Sequence, residues 1–197
     1  MMKKFWNERY ANSQYAYGTE PNAFFKSQID QRPAGRILLP AEGEGRNAVY
    51  AAKRGWDVVA FDQSEAGEKK AMKLAQAAKT SITYRIEDAM SFNEETAFDL
   101  LFYGFFHVPP VDLQPIYDHL NSFLKPGGQV LLEGFSTKNI GRGSCGPQNE
   151  AMLFSTSRVT SLLHDLKTLE VWEEEIILNE GPFHQGNARV IRAIGVK

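Results

Sequence analysis

Along the chain, unbroken apolar runs alternate with stretches whose apolar residues recur every three or four positions. The runs fall at 37–39, 56–62, 98–102 and 129–133, with an alternating β-branched stretch at 81–86. The periodic stretches fall at 47–54, 64–79, 109–124 and 155–166. Runs of the first kind read as strands buried on both faces, and the second as amphipathic helices. Their alternation predicts an α/β fold around a mostly parallel sheet. Two further strands, 169–178 and 188–196, are joined by a short turn at 179–186, which makes them an antiparallel pair. Ahead of the sheet, 3–32 reads as two helices around a turn at 15–21, carrying Phe5, Trp6, Arg9 and Tyr10, then Phe24, Phe25 and Ile29. Ser64 is the predicted cap of the 64–79 helix.

The first strand is followed by Pro40-Ala-Glu-Gly-Glu-Gly-Arg-Asn47, and the second ends in Phe61-Asp62. Strand, glycine loop, helix, strand and acid place a nucleotide-like ligand at the carboxyl ends of two parallel strands. Gly43 and Gly45 are expected to let the backbone approach that ligand, and Asp62 to accept both hydroxyls of a ribose. The spacing also satisfies a dinucleotide fingerprint. Glu42 and Glu44 argue against it, because a pyrophosphate on this loop would meet two like charges. A sulfonium and an ammonium suit such a loop, which favours S-adenosylmethionine over NAD.

Other candidates follow from the same edge. Asp88, just past the third strand, is placed to accept from an adenine amino group. His107 lies in the exit loop of the fourth strand, and His184 in the turn before the last strand. Arg142 sits in a polar, glycine-rich segment, 136–154, that leaves the fifth strand at this edge, and is read as a holder for an anionic acceptor. Trp6, Arg9, Tyr10 and Tyr17 either pack on the sheet's flank or form a lid that shapes an acceptor pocket.

Composition adds limits. The 197 residues, 43% hydrophobic and 23% charged, suit one globular domain, with 1–35 as a helical lid, 36–135 as a donor-binding half, and 136–197 as an acceptor-side loop and closing hairpin. A net charge of −2 gives no basic footprint for nucleic acid. A single cysteine, Cys145, excludes an internal disulfide and is read as a loop residue or a pocket thiol. Neither a signal-peptide core nor a membrane-spanning run is found, so a cytoplasmic protein is expected. No metal-ligand spacing is found, and the sequence does not indicate an oligomeric state.

Taken together, Trp6-Asn-Glu-Arg-Tyr10, Tyr17-Gly-Thr-Glu-Pro-Asn22, Ala41-Glu-Gly-Glu-Gly-Arg-Asn47, Phe61-Asp62, Phe106-His-Val-Pro109 and Glu180-Gly-x-x-His-x-Gly186 resemble class I S-adenosylmethionine-dependent methyltransferases, in particular the tellurite-resistance and thiopurine type. The resemblance implies a three-layer Rossmann-like fold: a seven-stranded sheet with its last strand antiparallel and helices on both faces. It implies donor contacts at Ala41, Gly43, Gly45, Asp62 and Asp88, extended here to Glu42, Arg46, Gln63 and Ala89. Where the general class has an acid this chain has Leu39, so backbone carbonyls near Tyr103 and Gly104 are the expected holders of the donor's ammonium. The expected reaction is methyl transfer to a small acceptor, a thiol, metalloid oxyanion or similar soft nucleophile, releasing S-adenosylhomocysteine. His107 or His184 would serve as base if one is needed. An NAD-dependent oxidoreductase and a non-catalytic adenosylmethionine binder are the alternatives.

Overall fold

The computed structural model describes residues 2–142 and 146–197. Its apolar runs become β1 (Arg36–Pro40), β2 (Asp57–Asp62), β3 (Thr83–Ile86), β4 (Phe98–Gly104) and β5 (Leu124–Phe135), and the closing pair becomes β6 (Thr168–Asn179) and β7 (Gln185–Val196). They form one sheet in the order β3-β2-β1-β4-β5-β7-β6. β1 to β5 pair in parallel. β7 is antiparallel to both neighbours, β5 and β6, so β6 runs with the rest.

The continuous apolar character of the central strands has a direct cause, since successive side chains point to opposite faces and both faces are covered. Ile37 and Leu39 face one core with α2 (Ala23–Ile29), α3 (Arg46–Lys53) and α4 (Glu65–Ala77), through Phe25, Ala48 and Ala71. Leu38 faces the other core, with Tyr117 and Leu120 of α5 (Pro110–Ser122) and Val159 and Leu162 of α6 (Thr156–Leu162). The three-layer arrangement is the one expected from the sequence. Ser64 caps α4 by accepting from the Gly67 amide at 3.1 Å. The 136–154 segment contains two short 3₁₀ turns, Thr137–Asn139 and Glu150–Met152. It returns to the sheet where Phe154 donates its amide to the Phe135 carbonyl at 2.9 Å. Cys145 lies outside the described residues. No helix among them is long and apolar enough to cross a membrane.

α1 (Met2–Tyr10) does not pack on the sheet's flank. It crosses the carboxyl end of the strands and docks on the start of α4, where Asn7 Oδ1 accepts from Ser64 Oγ at 2.9 Å and from the Ala66 amide at 3.1 Å. The glycine loop is packed hard beneath it. Gly43 lies against the Tyr10 ring, where a Cβ would come within 2.6 Å of the hydroxyl oxygen. Gly45 precedes α3 at φ 84°, and its Cβ would approach Ala71 Cβ to 2.5 Å. These glycines make room for Tyr10 and α4 rather than for a ligand, a correction to the expectation drawn from spacing alone. Gly45→Ala is therefore expected to destabilise the fold by about 2–5 kcal/mol, from left-handed backbone strain plus overpacking. Urea denaturation of the variant and the wild type measures this, and an unchanged midpoint would contradict the packing described.

Candidate active site

The loop after β1, the exits of β2, β3 and β4, and the end of β5 meet under α1 around a cavity of about 720 Å³. This is within the range of roughly 300–1,000 Å³ usual for small-molecule sites. It opens where β1 has β2 on one side and β4 on the other, the switch point at which open α/β sheets bind ligands.

On the β1–β3 side the lining includes Ala41, Glu42, Asp62, Gln63, Asp88 and Ala89. Asp62 is buried, and its two oxygens accept from the Gly43 amide at 3.1 Å and the Ser64 amide at 2.8 Å. Burial nevertheless pushes its carboxyl up to about 6, against those backbone bonds. Asp88 is exposed, accepts from the Met90 amide at 2.9 Å and is bonded by the Gln63 side chain. Glu42 caps α3: its Oε1 accepts from the amides of Asn47 and Ala48, each at 2.8 Å. Enclosure by protein pushes its carboxyl up to about 7, although one side keeps solvent contact through the cavity.

Glu44 does not share this environment. It is 4% exposed, pairs with Lys70 at 2.5 Å and accepts from the Ala16 amide at 2.7 Å, tying the N-terminal segment to α4. The second carboxylate facing the ligand position is Asp62. Buried acids away from the cavity all have a cation at hand: Glu44 has Lys70, Glu133 has Arg192 at 2.5 Å, and Glu180 has Arg46 at 2.9 Å. Glu42 and Asp62 form no direct ion pair among the described residues, although the charge of Arg46 acts on Glu42 through space. An uncompensated buried carboxylate is costly, so this side of the cavity favours a positive ligand.

On the β4–β5 side the walls are aromatic and apolar. Phe105, Phe106 and Phe135 line it, with Met152 from the long segment and Trp6, Tyr10 and Tyr17 from the cover. Arg9 also lines it. Its guanidinium lies 4.0 Å from the Phe183 ring centroid and bonds the Tyr17 hydroxyl at 3.3 Å. Arg46 reaches the cavity too, but its guanidinium is bonded to Glu180 and to the Tyr17 carbonyl.

The two histidines differ. His107 lines the cavity with both ring nitrogens engaged by backbone: Nε2 accepts from the Phe135 amide at 3.1 Å, and Nδ1 donates to the Met152 carbonyl at 2.8 Å. This fixes the tautomer, and burial lowers the ring to about 4, so His107 is held neutral without a free nitrogen for proton transfer. His184 is 6% exposed, with Nδ1 at 3.2 Å from Glu180 Oε2. Its ring stands 4.5 Å from both Tyr17 and Phe105, centroid to centroid. Burial would raise Glu180, but the bonds from His184 and Arg46 prevail and hold it at about 2. A carboxylate on Nδ1 directs Nε2 of the neutral ring to accept. Burial lowers His184, in spite of that partner.

Arg142 and the Tyr103 side chain lie away from the cavity. Arg142 is exposed and pairs with Glu175 at 3.0 Å, drawn away by the acidic face of β6. The Tyr103 side chain points into the core, stacked 4.4 Å from Tyr117 with its hydroxyl bonded to Asn121 at 2.9 Å; of the two residues whose carbonyls were expected to hold the ammonium, Gly104 lines the cavity. Arg192, twelve residues past Glu180 by number, serves the buried Glu133. Phe105, Phe135 and Met152 were not singled out from the sequence, and Glu180 entered only as part of the motif around His184. Phe105 and Phe135 follow from counting to the carboxyl ends of β4 and β5, and Glu180 from its position four residues before His184.

Residues 37–128 match the profile of a family described as a methyltransferase domain. No curated protein matches the sequence. Among solved structures, the fold is similar to a protein studied for conversion of a disulfide bond into a thioacetal group during echinomycin biosynthesis (TM-score 0.81, 13% identity, 100% of this chain and 92% of that one). It is also similar to TehB from Haemophilus influenzae (0.71, 14%, 99% and 66%) and to the N-methyltransferase NodS from Bradyrhizobium japonicum WM9 in complex with S-adenosylhomocysteine (0.71, 12%, 99% and 97%). At such identities the likeness is one of fold. Domain match and fold agree: residues 37–128 carry the likeness to a methyltransferase domain, and the whole chain has the fold of the S-adenosylmethionine-dependent enzymes it resembles.

The raised carboxyl of Glu42 gives a pH prediction for the ligand-free protein. Its folded value of about 7 lies above the ordinary 4.5, so the folded state holds an extra proton between those values. That contribution to stability is fully present below about pH 4.5 and is lost as pH rises through about 7. Glu42→Gln keeps an acceptor for the Asn47 and Ala48 amides and removes the titration. Its stability relative to wild type should rise between pH 5 and pH 8, by roughly 1–3 kcal/mol. Urea denaturation of both proteins at the two pH values measures it, and a constant difference would refute the assignment.

Proposed function

We propose that the chain transfers a methyl group from S-adenosylmethionine to a small, soft nucleophile, a thiol or metalloid oxyanion class of acceptor. The observation that carries this reading is the pair of enclosed carboxylates, Glu42 and Asp62, that line the cavity without a direct ion-pair partner. The donor carries a sulfonium and an ammonium and no phosphate. The pyrophosphate of NAD would meet both acids. The residues present fit the donor. Asp88, Gln63 and Ala89 at the ends of β2 and β3 suit the adenine, Asp62 suits the ribose hydroxyls, and Ala41, Glu42 and Gly104 suit the amino-acid end.

When bound, the donor supplies an activated methyl group on sulfur, which an incoming nucleophile takes as the carbon–sulfur bond breaks and S-adenosylhomocysteine leaves. The chain's contribution is alignment and exclusion of water, which can be worth roughly 7–11 kcal/mol for well-oriented groups. Trp6, Tyr10 and Tyr17 roof the cavity, and Phe105, Phe135 and Met152 give the acceptor side a dry wall. His107 orients the end of β5 and the 150–152 turn rather than moving a proton. His184, whose Nδ1 is fixed by Glu180, offers Nε2 toward the acceptor side. With so little basic capacity, an acceptor that is acidic or already anionic fits better than an alcohol. The tellurite-resistance subtype read from the sequence agrees with this acceptor chemistry.

Calorimetric titration with S-adenosylmethionine, S-adenosylhomocysteine and NAD⁺ tests the reading. Both adenosyl ligands should bind in the micromolar range, with affinity falling at least tenfold in Asp62→Ala. NAD⁺ should give no heat. Binding of NAD⁺ alone would move the protein to the oxidoreductases, and binding without turnover on any thiol or oxyanion would make it a sensor.

A further inference from the structure

Five acids in and around the site are enclosed, and three of them are neutralised by Lys70, Arg192 or Arg46. The remaining two, Glu42 and Asp62, occupy different places along the sheet edge. Asp62 ends β2, beside Gln63 and the β3 exit with Asp88. Glu42 follows β1, beside β4, whose last residue Gly104 also lines the cavity. Adjacent strands are about 4.8 Å apart. A ligand whose adenosine spans β3 and β2 therefore carries its next polar group to the β1–β4 step.

Glu42 is half committed. Its Oε1 takes two backbone amides, while Oε2 has only the Asn47 side-chain amide at 3.3 Å. Arg46, at the start of α3, acts on Glu42 through space, but its guanidinium is bonded to Glu180 and to the Tyr17 carbonyl. Leu39, where the general class has an acid, is wholly buried in the α2–α4 core and carries no charge to offer. We infer that Glu42 is the counter-ion for the ammonium of the donor's amino-acid tail, taking in the glycine loop the part that strand β1 does not supply. The inference rests on the methyl-donor reading. It replaces a hold by carbonyls alone with a charged hydrogen bond from a side chain already fixed by the start of α3.

The test compares two ligands on two proteins by calorimetry at pH 8. One ligand is S-adenosylhomocysteine. The other is its desamino analogue, 5′-deoxy-5′-(3-carboxypropylthio)adenosine, which keeps the carboxylate and lacks the amino group. Wild type should prefer S-adenosylhomocysteine by roughly 10- to 100-fold. In Glu42→Gln that preference should collapse to within about threefold, while the desamino analogue binds as it does to wild type, which also shows that the variant is folded. A preference that survives in Glu42→Gln would place the ammonium elsewhere and overturn the inference. Equal loss of both ligands would make Glu42 a determinant of loop shape, which also overturns it. Failure of wild type to bind either ligand would instead remove the methyl-donor reading, and this inference with it.

Discussion

The structure is organised around charge compensation at the carboxyl edge of the sheet. The strands and the loops that follow them deliver acids to this edge, at Glu42, Glu44, Asp62, Glu133 and Glu180, where the surrounding segments enclose them. Enclosure makes each carboxylate expensive unless something positive or a set of donors faces it. The chain answers with arginine or lysine at three positions and with amide donors, mostly backbone, at the two that face the cavity. The pattern separates what holds the fold together from what is kept for a ligand.

The paired charges have a second consequence. Asn22 donates to Glu133 at 2.6 Å and to Glu180 at 3.2 Å, and its amide bonds Asn47 at 2.9 Å. Arg46 joins Glu180 to the Tyr17 carbonyl, and Glu44 joins Lys70 to the Ala16 amide. The segment between α1 and α2 has no strand or long helix of its own. It is held by these few buried polar links, each worth more than a surface pair because water does not compete for it. The roof over the cavity is thus attached to the same side chains that shape the acceptor side, so Tyr17, His184 and Glu180 are placed together or not at all.

The parallel strands, the helical layers and the antiparallel closing pair were legible in the sequence because they rest on period. Runs such as 98–102 and stretches such as 64–79 have one physical reading each once both faces are buried. Location at the cavity was legible where position along a strand decides it, as for Asp62, Asp88, His107 and His184. It was not legible where orientation decides. Glu42 and Glu44 are two residues apart in one loop, yet one caps α3 beside the cavity and the other pairs with Lys70 beneath α1. Arg142 follows the acidic face of β6, a long-range partner that spacing does not reveal. Gly43 and Gly45 carry the sequence signature of a ligand loop, but the atoms that exclude a Cβ there belong to Tyr10 and Ala71.

Ala41 shows how such a loop tolerates departures from the family pattern. It stands where the resemblance expects a glycine, and its φ is 50°, in the left-handed region that glycine adopts freely and alanine does not. Phe105, at the exit of β4, has φ 52°. These two strained residues face each other across the switch point, each the first residue beyond its strand and each lining the cavity. Strain of this kind, of order 1–3 kcal/mol per residue, persists only where surrounding contacts fix the backbone. At Phe105 the contacts are an amide bond to the Glu133 carbonyl at 2.7 Å and a ring held against His184 and Phe135. At Ala41 they are the flanking Glu42 amide on the Phe61 carbonyl at 3.1 Å and the Glu42 side chain on α3. The same residue that leaves a carboxylate facing the cavity therefore also holds the strained turn that opens it, which ties the electrostatics of the donor side to the backbone geometry of the loop.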